Sequence, residues 1–146
     1  MDYEVIRIPG FGNPFVTIKT EDITEEVTSL TDYLDGNKTE SITGYIGNEA
    51  YPVKTESTRR IYAENGKVLA EGNDATYTLR SRLYEIEDKL SRQLFIRISN
   101  SEIINRNMIR KFDLSLTGII TIVMDDGSRS KVARRAIPGI RKKLGI

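Results

Sequence analysis

Cationic side chains are concentrated at the end of the chain. The segment RSKVARRAIPGIRKKLGI (129–146) has no Asp or Glu, and its seven cations are Arg129, Lys131, Arg134, Arg135, Arg141, Lys142 and Lys143. The whole chain is nearly neutral, with 22 Lys and Arg against 21 Asp and Glu. Lys and Arg bind phosphate oxygens through charge-assisted hydrogen bonds. The segment is therefore either a solvated terminus or a surface that binds a polyanion.

Charge is unevenly distributed along the chain. Residues 1–58 contain 4 Lys and Arg against 11 Asp and Glu, a net charge of −7. Residues 59–146 contain 18 against 10, a net charge of +8. An acidic N-terminal part and a basic C-terminal part favour two separate functions, and the basic part is suited to binding phosphate groups. Chance segregation of surface charge is the alternative.

The residue types that usually perform catalysis or bind transition metals are missing. The chain has no Cys and no His, which excludes thiolate chemistry and zinc–sulfur sites and removes the commonest general base. Neighbouring carboxylates occur at Asp125-Asp126, in an expected turn, and at Glu85, Glu87 and Asp88, on the polar side of an expected helix. Nothing in their surroundings is of a type that raises a carboxyl pKa. We therefore predict that the chain is not an enzyme and binds no cofactor or metal.

The other cations of the basic half occur together with amide side chains. The cations are Arg59, Arg60, Arg80, Arg82, Arg97, Arg106, Arg110 and Lys111, and the amides are Asn65, Asn100, Asn105 and Asn107. Arg and Asn can each bind a base edge through two hydrogen bonds, while Lys and Ser bind phosphates. Aromatic residues on which single-stranded bases would stack are few, which favours duplex DNA. Because no helix–turn–helix pattern is evident, loops and turns would make the contacts.

The elements that must position these residues are mostly strands joined by tight turns. Asn65-Gly66 and Asp126-Gly127 each lie between apolar or alternating runs, and such pairs accept the positive φ angles of hairpin turns. A third hairpin is expected around Gly47-Asn48, and ATYTLRS (75–81) is typical of a strand. In LFIRISN (94–100), alternation predicts one face with Phe95, Arg97 and Ser99 and the other with Leu94, Ile96 and Ile98.

Helices are few. In EDITEEVTSLTDYLDG (21–36), the apolar stripe of Ile23, Val27, Leu30 and Leu34 predicts a helix, with a capping box at Asp22 and Glu25 and a stop at Gly36. RLYEIEDKL (82–90) predicts a shorter helix, and a last helix is expected to begin at Pro138.

Two joints are candidates for a division of the chain, at residues 35–41 and 54–58. Gly10-Phe11-Gly12 lacks the third glycine and the immediate helix of a dinucleotide loop, and it is predicted to be a turn. Asn37 in the tripeptide NKT is predicted to lie in a loop.

No window approaches the ~18 apolar residues that span a bilayer, and the N-terminus has no signal-peptide pattern. We therefore predict a cytoplasmic protein without membrane insertion.

An ordered set of motifs covers the basic half. RLYEIEDKLSRQLFIRISNSEIINRNMIRKF (82–112) contains Phe95, Arg97, Asn100, Ser101 and Asn105 in the spacing F-x-R-x-x-[RN]-S-x-x-x-N. SLTGIITIVMDDGSRSKVARRAIPGIRKKLG (115–145) adds a DGS hairpin and a basic turn before a basic helix, and RRIYAENGKVLAEG (59–72) adds a long hairpin. In this order and spacing, the motifs resemble the LytTR family of bacterial DNA-binding domains.

The resemblance implies a fold and a set of DNA contacts. The fold is mainly β (α+β), a LytTR-type antiparallel β fold with short helices over residues 56–146, preceded by a small α/β extension over residues 1–55. Its loops would project into successive major grooves. The family's base contacts map to the loop Glu64–Lys67, to Asn100 and to Arg134 or Arg135, with an ungapped reading favouring Arg135. The residues expected at DNA are thus Asn65, Lys67, Asn100, Arg134 and Arg135, with Arg97, Ser101 and Lys131 beside them on phosphates.

Several features depart from the family pattern. Ser99 stands where many members have His or Lys, and Ala133 replaces a more usual Ser. Many relatives carry a phospho-receiver domain, for which residues 1–55 are too few, since domains typically have ~100 residues. The chain is therefore similar to a stand-alone form.

Two functions are compatible with these observations. We expect a bacterial transcription regulator that binds double-stranded DNA as a homodimer, with the acidic extension pairing subunits or binding a protein partner. The alternative is a protein-interaction module whose basic half binds an acidic partner.

Overall fold

The computed structural model describes residues 2–12, 15–35 and 38–146. The chain divides into two compact units, residues 1–37 and Lys38–Ile146. Of the two joints expected from sequence, the division falls within the first, residues 35–41. The hairpin around Gly47-Asn48, which the sequence assigned to the extension 1–55, therefore belongs to the larger unit. A separate role for residues 1–55 stays a prediction.

The smaller unit contains one helix, α1 (Glu25–Asp35), and no strand among its described residues. The Thr24 hydroxyl accepts a hydrogen bond from the Val27 amide at 3.3 Å, so Thr24, rather than the expected Asp22, caps this helix. Phe11 donates its amide to the Ile8 carbonyl at 3.2 Å, and this bond closes the turn that was expected at Gly10. The predicted helix stop at Gly36 and the predicted loop at Asn37 lie outside the described residues.

The larger unit is built on a seven-stranded antiparallel sheet with strand order β2-β1-β5-β4-β3-β7-β6. Its strands are β1 (Ser41–Ile46), β2 (Glu49–Lys54), β3 (Thr58–Glu64), β4 (Lys67–Gly72), β5 (Thr76–Leu79), β6 (Phe95–Ser99) and β7 (Glu102–Asn105). All three predicted hairpin turns are present. Asn65 and Gly66 have φ angles of +50° and +73°, which is the geometry that the Asn-Gly pair favours between β3 and β4.

A second sheet of three antiparallel strands, in the order β10-β9-β8, completes the unit together with two helices. These elements are β8 (Ile109–Asp113), β9 (Thr121–Met124), β10 (Arg129–Lys131), α2 (Leu83–Lys89) and α3 (Ile137–Leu144). Short 3-10 turns cover Thr55–Ser57, Arg106–Met108 and Arg134–Ala136. Pro138 lies in the first turn of α3, as expected, because proline there removes no helical hydrogen bond.

Buried apolar side chains form two clusters, and strands β6 and β7 contribute to both. The first cluster joins one set of sheet residues to α2: Ile61, Ala70, Leu79, Leu83, Ile86, Leu90, Phe95 and Ile103. The second joins another set to β9, to the residue after β10 and to α3: Ile96, Ile98, Ile104, Ile120, Ile122, Met124, Val132 and Ile140. Because successive strand residues point to opposite faces, Ile103 and Ile104 enter different clusters. These strands are thus held rigidly from both sides.

The alternation expected for residues 94–100 is confirmed for Phe95, Ile96 and Ile98, but not for Leu94. Phe95 enters the first cluster and Ile96 and Ile98 enter the second. Leu94 packs against the first cluster, not the second. The reason is that β6 begins at Phe95, so the two-residue period does not extend back to Leu94.

Candidate nucleic-acid interface

Each predicted contact segment lies where a strand ends. Loop 1 (Glu64–Lys67) joins β3 to β4, loop 2 (Asn100–Ser101) joins β6 to β7, and loop 3 (Ala133–Ala136) joins β10 to α3. β3 runs antiparallel to β7, with Tyr62 opposite Glu102, so loops 1 and 2 emerge at the same end of the sheet.

Two backbone hydrogen bonds connect the three loops. Ala63, just before loop 1, donates its amide to the Ser101 carbonyl of loop 2 at 2.8 Å. Ala133, at the start of loop 3, donates its amide to the Ile98 carbonyl, just before loop 2, at 2.9 Å. Loop 2 is therefore held between loops 1 and 3. We call the three loops together the three-loop surface.

The polar side chains of the three-loop surface are largely exposed. Exposed side chains at or next to the loops are Asn65, Lys67, Asn100, Ser101, Lys131, Arg134 and Arg135. Within the part of the chain that the structure describes, none of the four Lys and Arg residues in this set forms a salt bridge. Uncompensated cations on one surface attract phosphate.

A groove lies beside loop 3, between α2, β6 and the segment that leads from loop 3 into α3. Its volume is about 420 Å³, and its lining includes the cations Arg92, Arg97, Arg135 and Lys143. Arg97 and Arg135, far apart in sequence, are thus brought to one surface. Ala136 of loop 3 and Ile140 of α3 line the same groove, so an apolar wall lies beside the cations.

Arg97 differs from the other expected contact residues because its guanidinium is already engaged. Its Nε donates to the Ser99 carbonyl at 2.6 Å, and its Nη2 donates to the Asn100 carbonyl at 2.5 Å. Its Nη1 bonds Glu87 of α2 at 2.5 Å. Arg97 therefore holds the backbone of loop 2 against α2, a role that the sequence reasoning did not assign to it.

Ser99, which departs from the family pattern, supports the same turn. The Ser101 amide donates to the Ser99 hydroxyl at 3.2 Å, and the two hydroxyl oxygens lie 3.3 Å apart. With the two Arg97 bonds, loop 2 is fixed from both ends, leaving the Asn100 side chain exposed at its tip.

Arg59 was grouped with the candidate polyanion contacts, but its side chain is buried, with 6% of its surface exposed. Its Nε donates to Asp125 at 2.7 Å, Nη1 to the Gly72 carbonyl at 3.0 Å and Nη2 to Asn73 at 2.5 Å. The hydrogen bond to Asp125 raises the pKa of Arg59 above its ordinary value. Arg59 therefore joins the large sheet to the β9–β10 turn and is not available to DNA.

The same turn accounts for the paired carboxylates. Asp125 binds Arg59, and Asp126 accepts from the Ser128 hydroxyl at 2.6 Å and from the Ser128 amide at 2.9 Å. These two bonds lower the pKa of Asp126. Both side chains thus serve the turn and its attachment to Arg59. Ser128, two residues past Asp126, is the sequence signal for the bonds that Asp126 accepts.

Two further polar residues of the basic half have structural roles. Arg60 donates to Glu71 at 3.0 Å and to Glu102 at 3.2 Å. Asn105, which ends the family phrase, is fully buried, donates to the Thr58 carbonyl at 2.9 Å and accepts from the Asn107 amide at 2.9 Å. It therefore fixes the end of β7 opposite loop 2.

The described residues contain no group of three or more acidic side chains placed to hold a metal ion. No described helix is long and apolar enough to cross a membrane. The α-helices of the described ranges are separated from one another by strands, so none of them forms a helix–turn–helix pair.

Comparisons with known proteins agree with this fold. The LytTr DNA-binding domain family matches residues 48–145. Proteins named as uncharacterized HTH-type transcriptional regulators in two Staphylococcus aureus strains, NCTC 8325 and COL, are each 30% identical over 133 residues, which is 90% of this chain and 90% of each relative.

A solved structure is also similar. It is a LytTr DNA-binding domain from a Bacillus cereus protein described as a methyl-accepting/DNA response regulator, with a TM-score of 0.71 and 26% sequence identity. The match covers 74% of this chain and 99% of the other. The similarity thus includes nearly all of that domain and leaves part of this chain outside it.

Proposed function

The chain belongs to the LytTR family of DNA-binding domains, and on that premise we propose that it is a bacterial transcription regulator that reads duplex DNA through the three-loop surface. The observation that carries the proposal is the pair of backbone bonds, Ala63 to Ser101 and Ala133 to Ile98, that hold the three loops together. Loops fixed on a rigid sheet lose little entropy when they bind, so contacts made there count fully toward affinity.

Base edges are read at the tips of the loops in this proposal. Asn100 and Arg135 are the residues we assign to bases, because an amide and a guanidinium each form paired hydrogen bonds with adenine or guanine in the major groove. In loop 1, Asn65 and Lys67 contact further bases. Arg97 acts indirectly, since its bonds to the Ser99 and Asn100 carbonyls set the direction of the Asn100 side chain.

Phosphates are bound beside the loops. Ser101, Lys131 and Arg134 are exposed next to the base-reading residues and fit this role. Each phosphate that a cation neutralises releases counterions, so affinity falls with salt by a slope of about 0.9 per contact on a logarithmic scale.

The regulator works in the cytoplasm as a homodimer on two half-sites, in this proposal. A dimer places two three-loop surfaces on one duplex, one at each of two repeated half-sites. The acidic residues 1–55 pair the subunits or bind a protein partner.

The test begins by sequencing the genomic duplex fragments that the protein retains, which identifies the operator. Fluorescence anisotropy then measures affinity for the operator and for scrambled duplex over a range of salt. We expect Arg135→Ala to weaken operator binding by about 1–3 kcal/mol, with preference lost at one base position. Lys131→Ala should weaken binding to all duplexes alike and reduce the salt slope by about 1.

A matched control is Arg106→Ala, because Arg106 is exposed at the end of β7 that lies opposite loop 2. It should leave operator preference unchanged. Absence of any DNA affinity at low salt would overturn the proposal. The alternative, a module that binds an acidic protein partner, predicts equal binding to heparin and to duplex DNA, with no sequence preference.

A further inference from the structure

Residues 2–35 expose most of the large apolar side chains that the described protein presents to solvent. Ten such residues lie in this segment: Tyr3, Val5, Ile6, Ile8, Phe11, Phe15, Val16, Ile23, Tyr33 and Leu34. The much longer described range 38–146 exposes four: Ile46, Tyr84, Leu114 and Leu116. In the segment 2–35, Val27 is the one described residue whose side chain is buried. The segment therefore has no core of its own.

The summed exposed apolar area of this segment is large. Phe and Tyr side chains each bury roughly 150–250 Å² when covered, so the four exposed aromatic residues Tyr3, Phe11, Phe15 and Tyr33 and the six exposed aliphatic ones together offer on the order of 1,000 Å². The largest apolar patch on a typical monomer is about 300–600 Å². A stable interface needs about 800 Å² from each partner. The summed exposed apolar area of the segment is therefore close to the area that one partner contributes to a stable interface.

We infer that residues 2–35 form the dimer interface, in which the segment of one copy packs against the same segment of a second copy. This deepens the proposed function by naming the surface that pairs the subunits, but it depends on no DNA contact. An open groove of about 620 Å³ runs between the extended residues and α1, with Phe15, Val16, Val27 and Leu30 among its lining residues. It offers each copy a place for apolar side chains of the other.

The net charge of the segment limits which class of molecule can cover it. Residues 1–37 contain 2 Lys and Arg against 8 Asp and Glu, a net charge of −6. Such a segment repels nucleic acid and anionic membrane surfaces, so a protein is the remaining class of occupant. The whole chain has a net charge of only +1, so two copies approach each other without strong long-range repulsion.

The acidic side chains are compatible with pairing of like segments. Every acidic residue from Asp2 to Asp32 is exposed, and Asp2, Glu4 and Glu26 are among the residues that line the groove, so the carboxylates of the two copies would lie close to the paired apolar side chains. Repulsion between these carboxylates is screened by salt, with a Debye length of about 10 Å at 0.1 M. Pairing of the segments should therefore tighten as salt rises.

The experiment is sedimentation equilibrium of the full chain without DNA. The wild-type protein should be a dimer at micromolar concentration. The double variant Val5→Asp/Ile23→Asp should raise the dimer dissociation constant at least about tenfold, because it places charge at two of the most exposed apolar positions of the segment. Leu116→Asp, at an apolar position of the larger unit that is 63% exposed, is the control and should leave the dissociation constant unchanged.

Three results would overturn the inference. A wild-type chain that stays monomeric at 100-fold higher concentration would show that something other than a second copy covers the segment. An unchanged dimer in the double variant would place the interface elsewhere. A dimer that weakens as salt rises would indicate that the acidic segment of one copy binds the basic residues of the other. The measurement contains no DNA, so its result is independent of whether the DNA-binding tests of the proposed function succeed.

Discussion

The two units of the chain treat their apolar side chains in opposite ways. Residues 38–146 bury them in two clusters around β6 and β7, while residues 2–35 leave ten large ones exposed. The larger unit can therefore hold loops in a fixed geometry by itself. In our inference, the smaller unit gains stability when a second copy covers its exposed apolar side chains. The difference suggests that recognition and assembly are separate properties of separate segments, and substitutions should be able to change one without the other.

The largest expected effect comes from the core. Ile104→Ala removes a fully buried side chain from the second cluster and should lower the free energy of unfolding by about 2–5 kcal/mol, measured by urea denaturation. The matched change Ile23→Ala, in the smaller unit, should cost less than about 0.5 kcal/mol in the monomer. The Ile104 effect should be independent of protein concentration. Equal costs at the two positions would contradict the contrast between the units.

The connection between the two sheets gives the next effect. Arg59→Met removes a buried guanidinium with partners in both sheets and should cost about 3 kcal/mol, because the polar groups around it lose their donor. Arg106→Met, at an exposed Arg, should change stability by less than about 0.5 kcal/mol. Thermal unfolding followed by circular dichroism distinguishes the two. A negligible cost for Arg59→Met would mean that the sheets do not depend on this link.

The position of the first hairpin provides a smaller test of where the larger unit begins. A Cβ atom at Gly44 in β1 would lie 2.6 Å from Tyr77 Cβ and 2.7 Å from Val53 Cγ2. Gly44→Ala should therefore cost about 1–3 kcal/mol. Gly139→Ala, in α3, has open space around it and should be neutral or stabilising by up to about 1 kcal/mol. If Gly44→Ala is neutral in urea denaturation, the hairpin is not packed as part of this sheet.

The smallest effect concerns pH. Hydrogen bonds from the Ser115 hydroxyl and amide, with the ion pair to Arg129, lower the pKa of Asp113 from 3.8 to about 2. The stability that this shift provides is fully present above pH 3.8 and is lost as the pH falls through about 2. Asp113→Asn should therefore flatten the fall in melting temperature between pH 4 and pH 2. An unchanged profile would show that other carboxylates govern acid unfolding.

Much of the larger unit was predictable because its signals are local. The Asn65-Gly66 turn follows from the φ angles that these two residues accept, and the faces of Phe95 and Ile96 follow from the two-residue period of a strand. The spacing from Phe95 to Asn105 identified the family. The antiparallel β fold with short helices is confirmed, while the assignment of individual residues to bases and phosphates stays a prediction.

The sequence alone determined the turns, the strand periodicity, the family and the division of charge, because each depends on neighbouring residues or on composition. The tertiary structure decided which cations remain available. Arg59 and Arg135 are the same residue type, yet Arg59 meets Asp125 across 66 residues and is buried, while Arg135 is exposed. Arg97, whose contact with a phosphate stays a prediction, holds loop 2 through bonds to the Ser99 and Asn100 carbonyls. The partner of a charged side chain is set by how distant strands pack, and no local pattern records that packing.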